Sequence, residues 1–272
     1  MDKSLLVKIA GFTATLIHGD TLVMDRWRWL KKRLPDTRNN ETLLDVGCGT
    51  GSFTIGAARR GYHALGLSWD ERNQTVARER AELCKSPEST FEILDVRELD
   101  KRRDLVGRFD VVVCMENIEH ILDDRKLMVD MAECLRPGGR LLLSTPYFHN
   151  IAITKDDRGP YPKVEDGWHM RRGYTWTMLD ELCTHAGLKV ERFSSCGGFL
   201  SQMITRLMRM LSRVHPVLGW GTVLPLRILP PLLDWLLDPL TGYPHQCICL
   251  EAYKPRYGNV AAESTAPASA QV

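Results

Sequence analysis

Residues 42–51, Thr-Leu-Leu-Asp-Val-Gly-Cys-Gly-Thr-Gly, organise the rest of the chain. A short apolar run containing Leu43, Leu44 and Val46 ends abruptly in glycine, and residues 52–60 behind it have the pattern of a helix. A buried strand, a tight glycine turn and a helix N-terminus together make a site for a nucleotide-like ligand, because free N–H groups and bare glycine backbone face the same space. This stretch therefore predicts a ligand-binding loop at the end of a strand.

The spacing of the glycines indicates which kind of loop this is. Dinucleotide-binding loops follow G-x-G-x-x-G, but Ser52 stands here at the place of the last glycine. The pattern is instead acid-x-G-x-G-x-G, which resembles motif I of class I S-adenosylmethionine (SAM) dependent methyltransferases. The resemblance implies SAM as the cofactor, bound at Asp45, Gly47, Cys48, Gly49 and Gly51.

Composition limits the classes of function. The chain has 272 residues, of which 44% are hydrophobic and 26% charged, and a net charge of +2. These values predict a globular protein with a substantial core, and they argue against nucleic acid as a partner. The eight cysteines include no CxxC pair, so we expect reduced thiols and a cytoplasmic protein. Lys8 interrupts the apolar stretch 5–17, and no small-residue cleavage site follows it, so we expect no secretory signal.

Apolar runs and helical patterns alternate along the chain. We predict strands at 42–46, 63–67, 90–94, 109–114, 140–144, 188–194 and 245–253, and helices at 21–34, 52–60, 70–85, 124–135 and 176–186. Such alternation requires a parallel sheet covered on both faces, with ligands at the carboxyl ends of the strands. We therefore expect an α/β protein with the class I methyltransferase (Rossmann-like) fold: a seven-stranded, mostly parallel sheet with helices on both faces and a helical insertion before the last strand.

This pattern divides the chain into five parts. They are an N-terminal helical cap (1–40), a SAM-binding catalytic core (41–196), an apolar and amphipathic helical insertion (197–244), the last strand of the core (245–256) and a disordered tail (257–272). The tail is small and polar, and such a composition cannot build a packed core.

Two further strand ends are expected to bind the cofactor. In the family, an acid after the second strand accepts hydrogen bonds from both ribose hydroxyls, but the register here places Ser68 at that position, followed by Trp69 and Asp70. Either Asp70 reaches back to the ribose or Ser68 makes a weaker contact with it. The alternative without a cofactor role is that Asp70 only caps the following helix. Asp95 and Val96 resemble the segment whose acid takes the adenine amino group.

Residues 109–120, Phe-Asp-Val-Val-Val-Cys-Met-Glu-Asn-Ile-Glu-His, carry the second strong signal. Together with the turn at 135–139 and Ser-Thr-Pro at 144–146, they resemble the ubiquinone-biosynthesis O-methyltransferases and their small-molecule relatives. The resemblance covers about residues 42–195 and leaves the acceptor open. It implies that Met115 and Glu116 border the cofactor.

The chemistry is expected at the end of the fourth strand. One helical turn there sets residue 116 on a common face with 119 or 120. A similar E-x-x-E-H segment holds a divalent cation in the quinone enzymes and in small-RNA 2′-O-methyltransferases. The resemblance implies Mg²⁺ or Mn²⁺, which would lower the pKa of an acceptor hydroxyl, held by Glu116, Glu119, His120 and His169. Two alternatives stay open: His120 or His169 acts as a general base without metal, or Glu119 and His120 only brace the cofactor loop.

The sequence says least about where the acceptor binds. We predict acceptor contacts from the long loop 145–175 and the cap, at Trp27, Tyr147, His149 and Trp168, with ordinary packing as the alternative for each. In the insertion, residues 200–211 have helical apolar spacing with Arg206 and Arg209 on the other face, and prolines break the apolar stretch that follows. We expect peripheral membrane contact through 199–240, a lid over an apolar substrate, or a homodimer interface.

These observations predict transfer of a methyl group from SAM to a hydroxyl of a small, largely apolar acceptor such as a phenol, quinol, polyketide or lipid-linked compound. Metal-free N- or C-methylation of a small molecule or lipid is the alternative among enzymes. Methylation of small RNA is disfavoured by the modest charge. A non-catalytic SAM-binding partner subunit is the alternative of another class, and the altered ribose site at Ser68 is its support. We expect the protein to be cytoplasmic or peripheral to a membrane.

Overall fold

The computed structural model describes residues 5–17, 20–165 and 167–256. Its sheet comprises the strands β1 (Thr42–Val46), β2 (His63–Ser68), β3 (Ser89–Ile93), β4 (Phe109–Met115), β5 (Leu135–Pro146), β6 (Lys189–Cys196) and β7 (Cys247–Tyr253). The strand order is β3-β2-β1-β4-β5-β7-β6, and only β7 runs antiparallel to its neighbours within this sheet. The predicted α/β fold with a seven-stranded, mostly parallel sheet is confirmed.

Ten α-helices are described. They are α1 (Leu5–Ala10), α2 (Phe12–Ile17), α3 (Thr21–Lys31), α4 (Ser52–Ala58), α5 (Glu71–Leu83), α6 (Asp124–Cys134), α7 (Trp176–His185), α8 (Phe199–Ser212), α9 (Pro216–Val223) and α10 (Pro230–Thr241). Short 3₁₀ helices occur at Val96–Lys101, Arg103–Leu105, Ile118–His120, Lys155–Arg158 and Pro225–Ile228. The predicted tail, 257–272, lies outside the described residues, and the division into five parts stays a prediction.

Helix ends follow local chemistry. Asp20, Asp70 and Asp123 cap α3, α5 and α6 by accepting hydrogen bonds from backbone N–H groups of the first turn. Helix α3 ends at Lys31 rather than at the predicted residue 34, because the approach to Pro35 disfavours helical backbone. Strand β5 begins at Leu135, directly after α6, so the turn expected at 135–139 lies within the strand itself.

The core lies on both faces of the sheet. Leu44 of β1 pairs with Leu65 of β2 on one side and Val112 of β4 on the other, and all three are buried. One apolar cluster packs the sheet against α6 and α7, and two others pack it against the N-terminal helices, α4 and α5. Burial on both faces explains why the central strands are continuous apolar runs.

The insertion of residues 197–244 folds into α8, α9 and α10. No single helix among the described residues is long and apolar enough to cross a membrane; Pro216–Ile228 and Pro230–Thr241 meet that criterion only as a pair, which is bent by 79°.

Candidate active site

A cleft of about 340 Å³ lies where β1, β2, β3 and β4 end. The predicted cofactor residues that line it are Gly47, Gly49, Ser68, Trp69, Asp95, Val96 and Glu116. These residues come from four separate loops, and parallel strands bring the loops to one edge of the sheet. The structure therefore gathers most of the predicted cofactor residues around one space, while their individual roles stay predictions.

Two positions of the loop after β1 require glycine for different reasons. Gly47 has φ +85°, and a Cβ there would lie 2.3 Å from the side chain of Asn117. Gly49 has φ +52°, and no heavy atom of the described residues lies within 4 Å of the position that its Cβ would take. A side chain at Gly49 would therefore project into open space, which suits close approach of a ligand to the backbone.

Five predicted cofactor residues do not line the cleft: Asp45, Cys48, Gly51, Asp70 and Met115. Asp45 is buried, and its Oδ2 atom accepts a hydrogen bond from Thr54 Oγ1 at 2.7 Å, so it joins β1 to α4. Burial raises the pKa of Asp45 to about 6. Asp70 accepts hydrogen bonds from the N–H groups of Arg72 and Asn73, which is the helix-cap alternative. We therefore keep Ser68, not Asp70, as the ribose-side candidate.

Asp95 is held by a residue that the sequence did not single out. Arg97 donates to both carboxylate oxygens of Asp95 and, through Nη1, to Glu165 Oε2 at 2.6 Å. Hydrogen bonding from Arg97 lowers the pKa of Asp95, so the carboxylate stays ionised. Sequence reasoning assigned no role to several residues of the cleft, although one of them, Asn117, lies in the quoted segment 109–120: Asn73, Arg97, Asn117, Ile121, Glu165 and Gly167.

Glu116 lines the cleft in an unusual backbone conformation. Its φ is +53°, which is uncommon for a residue other than glycine and is typical of functional sites. Arg26 of α3 donates to Glu116 Oε2 at 2.9 Å, and Ser144 Oγ donates to Oε1 at 3.0 Å. The cap helix α3 is thereby connected to the cofactor cleft, a contact between residues 90 positions apart that no local pattern shows.

Glu119, His120 and His169 form one cluster. Their candidate ligand atoms all lie within 4.8 Å of one another. Glu119 is completely buried; its Oε2 atom accepts a hydrogen bond from Thr145 Oγ1, whereas no described residue donates a hydrogen bond to Oε1. The structure thus brings together three of the four predicted metal ligands. Glu116 does not belong to this group, because its carboxylate is engaged with Arg26 and Ser144.

Burial controls the charges in the cluster. It raises the pKa of Glu119 well above the ordinary value for glutamate, and the nearby Glu116 adds to that effect. Burial lowers the pKa of His120, and burial together with His120 lowers the pKa of His169 to about 4. Both imidazoles are therefore neutral at pH 7, the form in which histidine binds metal ions.

A second cavity, of about 990 Å³, lies on the other side of this cluster. Its wall includes His169, Trp168 and Tyr161 of the long loop and Met208 of α8. His120 lines the first cleft and His169 lines the second cavity, while their ring centroids are 4.6 Å apart. The two spaces therefore meet at the histidine pair.

Of the four predicted acceptor contacts, only Trp168 lines this second cavity. Trp27 is buried between Phe12 and Phe53, with ring centroids 5.3 and 6.5 Å away, so it packs the cap onto the core. Tyr147 and His149 contact each other, and Tyr147 packs on Trp176, away from the cavity. Aromatic character alone did not distinguish a pocket wall from packing, because both need large apolar rings.

The long loop is fixed to the segment after β4. The N–H of Met170 donates to the carbonyl of Glu119 at 2.8 Å, and Tyr174 Oη donates to Asp124 Oδ2 at 2.8 Å. Arg171 donates to Asp124 and to the carbonyls of residues 121 and 122. These contacts hold His169 beside His120.

Comparison with known proteins shows the family of the chain. The family model described as a methyltransferase domain matches residues 22–192, which is more than half of the chain. The chain belongs to the methyltransferase-domain family. The matched range begins within α3 and ends within β6, so it contains the cofactor cleft and the histidine pair and stops before the insertion.

Among curated relatives, the chain is similar to ubiquinone biosynthesis O-methyltransferases. It is 35% identical to the one from Acinetobacter baylyi over 103 residues, which are 38% of this chain and 42% of that protein. It is 32% identical to the one from Acinetobacter baumannii strain AYE over 120 residues, which are 44% of this chain and 49% of that protein. The chain thus spans less than half the length of these relatives.

Solved structures share the fold at low identity. Phosphoethanolamine N-methyltransferase 2 from Haemonchus contortus, in complex with phosphomonomethylethanolamine and S-adenosylhomocysteine, has a TM-score of 0.60 and 18% identity, covering 94% of this chain and 60% of that one. At this identity the likeness shows the class I methyltransferase fold alone, and the reaction has to be argued from the site.

Proposed function

We propose that this protein transfers the methyl group of SAM to a hydroxyl of a small, largely apolar acceptor, such as a phenol, quinol, polyketide or lipid-linked compound. The observation that carries the proposal is the histidine pair at the junction of two cavities. SAM would occupy the cleft at Gly49 and Asp95, and the acceptor would occupy the larger cavity. Methyl donor and acceptor oxygen would then meet at the pair, which supplies the proximity that an in-line transfer needs.

The cofactor side has the donors and acceptors that SAM requires. The backbone at Gly49 leaves open space for the ligand, Ser68 stands where the ribose is expected, and Asp95 is kept ionised by Arg97 to accept from the adenine amino group. Glu116, whose carboxylate is held by Arg26 and Ser144, also lines the cleft and would border the methionine end of the ligand. In this proposal, each part of SAM is assigned to the loop that follows one of the strands around the cleft.

The cluster also fits a divalent cation. A buried carboxylate oxygen of Glu119 without a hydrogen-bond donor among the described residues, beside two neutral imidazoles, is the donor set of a metal site. Glu119, His120 and His169 would hold the ion, and two nitrogen ligands favour Mn²⁺ over Mg²⁺. A bound cation would lower the pKa of an acceptor hydroxyl.

The metal-free alternative uses an imidazole as general base. Burial lowers the pKa of both histidines, and a general base works best with a pKa near the working pH. His169, with a pKa of about 4, is therefore a weak base at pH 7. We prefer the metal-assisted O-methylation because the ligand atoms of Glu119, His120 and His169 lie within 4.8 Å of one another, with metal-free N- or C-methylation as the second candidate.

Calorimetry of SAM binding tests the proposal, with EDTA and then with Mn²⁺, followed by methyl transfer to a panel of phenols, quinols and lipids. We expect Glu119→Gln and His169→Asn to keep SAM affinity and to lose Mn²⁺ binding and at least about a hundredfold in turnover. His149→Asn, outside both cavities, is the matched control.

Other outcomes decide between the alternatives. Turnover unaffected by EDTA would favour the metal-free reaction. SAM binding without methyl transfer to any acceptor class would favour a non-catalytic SAM-binding subunit. Absence of SAM binding would overturn the proposal as a whole.

A further inference from the structure

The helical insertion turns its apolar side outward. In α10, Asp234 and Asp238 point into the protein, where they accept hydrogen bonds from the N–H groups of Leu200 and Phe199, both at 2.8 Å. These two carboxylates cap the first turn of α8. The outward positions of α10 between 231 and 240 carry only leucine, tryptophan and proline. This is the reverse of an ordinary surface helix, which buries its apolar side and exposes its charges.

The exposed apolar surface extends beyond α10. It consists of large side chains that are all exposed: Met210, Val214, Val217, Leu218, Ile228, Leu232, Leu233, Trp235, Leu236 and Leu240. We call this set the apolar face. Trp235 is 74% exposed and Val214 is 78% exposed, so neither side chain contributes much hydrophobic stabilisation to the fold. A concentration of exposed apolar side chains in one inserted segment is typical of a place where a protein meets an apolar partner.

The underside of the apolar face is fixed to the body. Trp220 Nε1 and Arg227 Nη1 both donate to the carbonyl of Ile17, at 3.0 and 2.8 Å, although they lie more than 200 positions away along the chain. Arg227 is buried. The outward arrangement is thus supported by specific contacts beneath it: Trp220 of α9 and Arg227 of the 3₁₀ helix Pro225–Ile228 attach the insertion to the end of α2.

Exposed cations adjoin the apolar face. Lys31, at the end of α3, and Lys32 after it line a cavity of about 800 Å³ together with Pro230 and Trp235 of α10, and Asp25, Asp234 and Asp238 line it as well. Lys31 and Lys32 are exposed, whereas Asp234 and Asp238 accept the hydrogen bonds from α8 described above. Exposed Arg213 directly precedes Val214 after the end of α8. An apolar surface with Trp at its edge and cations around it matches the boundary between headgroups and acyl chains of an anionic bilayer.

We propose that the apolar face docks onto the surface of a lipid bilayer that carries anionic headgroups. A second copy of the chain is the weaker occupant, because it would bring the same cations to the contact. The two aspartates of 199–244 could not pair with those cations, since both point inward and cap α8. Met208, Ser212 and Arg213 line the 990 Å³ cavity, so this cavity borders the docked side. On the function proposed above, an acceptor dissolved in the bilayer would have a short path to the site.

Vesicle flotation tests the docking without SAM or acceptor, so its failure is separate from failure of the proposed reaction. The probes are vesicles of phosphatidylcholine alone and of phosphatidylcholine with phosphatidylglycerol, at low and high salt. We expect binding to the anionic vesicles, reduced about tenfold or more in Leu232→Ser/Trp235→Ser because apolar area buried in the bilayer is lost. Lys31→Gln/Lys32→Gln should remove the preference for anionic lipid and its salt dependence.

The control is Ile9→Ser/Val106→Ser, which removes two exposed apolar side chains elsewhere and should leave binding unchanged. Circular dichroism of each variant verifies its fold. The proposal is overturned if the unmodified protein binds neither vesicle, or if the control pair reduces binding as much as Leu232→Ser/Trp235→Ser does. A concentration-dependent dimer that this last variant breaks, without vesicle binding, would assign the face to a second copy instead.

Discussion

The imidazole rings of His120 and His169 meet edge to face with their centroids 4.6 Å apart, although 48 residues separate them in the sequence. One ring borders the cleft at the ends of β1–β4 and the other borders the larger cavity under α8. The contact therefore joins the two spaces in which a methyl donor and an acceptor would sit. The hydrogen bond from Met170 N–H to the carbonyl of Glu119 holds the two segments together.

Replacing Gly49 tests the position of the cofactor. We expect Gly49→Ala to weaken SAM binding by about tenfold or more, because the new methyl group projects into the open space of the cleft. Calorimetry with SAM measures the effect. Gly107→Ala is the matched control, since Gly107 also has positive φ and open space around its Cβ position but lies outside the cleft. Equal SAM affinity in both variants would contradict the cofactor site.

Arg26 and Glu116 should be coupled in both stability and SAM affinity. Arg26→Met leaves a largely buried carboxylate without its partner, so we expect a loss of about 3 kcal/mol in the free energy of unfolding, together with weaker SAM binding. Arg26→Met/Glu116→Gln should recover much of the stability. Arg33→Met breaks a similarly buried pair between Arg33, just after α3, and Glu251 of β7, and it should lower stability without changing SAM affinity. Urea unfolding and calorimetry give the two readouts.

Asp45 should make stability depend on pH. Its pKa is raised by burial from 3.8 to about 6, so the folded state binds more protons than the unfolded state between these values. Its stabilising contribution is present below pH 3.8 and is lost as the pH rises through 6. Between pH 4 and pH 7, wild type should lose about 2 kcal/mol in the free energy of unfolding relative to Asp45→Asn. A difference between the two proteins that does not change with pH would contradict this.

Substituting two tryptophans should distinguish a residue that packs the core from one that contacts the acceptor. Trp27→Ala should lower the free energy of unfolding by about 3–5 kcal/mol, since it empties a buried aromatic cluster. Trp168→Ala should change it by less than about 1 kcal/mol, because the ring is 71% exposed, and should instead raise the KM for the acceptor. Urea unfolding and initial rates distinguish the two. An unchanged KM in Trp168→Ala would remove it from the acceptor wall.

The sequence by itself determined the fold and the position of the cofactor loop. Residues 42–51 combine an apolar run with glycines whose spacing has a local physical meaning, and the alternation of strands and helices permits few arrangements other than a parallel sheet. The position of segment 116–120 at a strand end is local in the same way, because it directly follows a buried strand. Periodicity and turn chemistry indicate such positions, whereas the chemistry expected at 116–120 is what the resemblance to the quinone O-methyltransferases implies.

Tertiary structure alone decided which side chains meet. Nothing near Arg26 indicates Glu116, and nothing near Asp95 indicates Glu165, since each contact depends on how distant elements pack. Tertiary structure also decided that Trp27 is buried in the core and that Trp168 lies on a cavity wall, although the two side chains are identical. The direction of Asp234 and Asp238 likewise follows from the position of α8, whose N–H groups they cap, and this capping leaves the leucines of α10 facing outward.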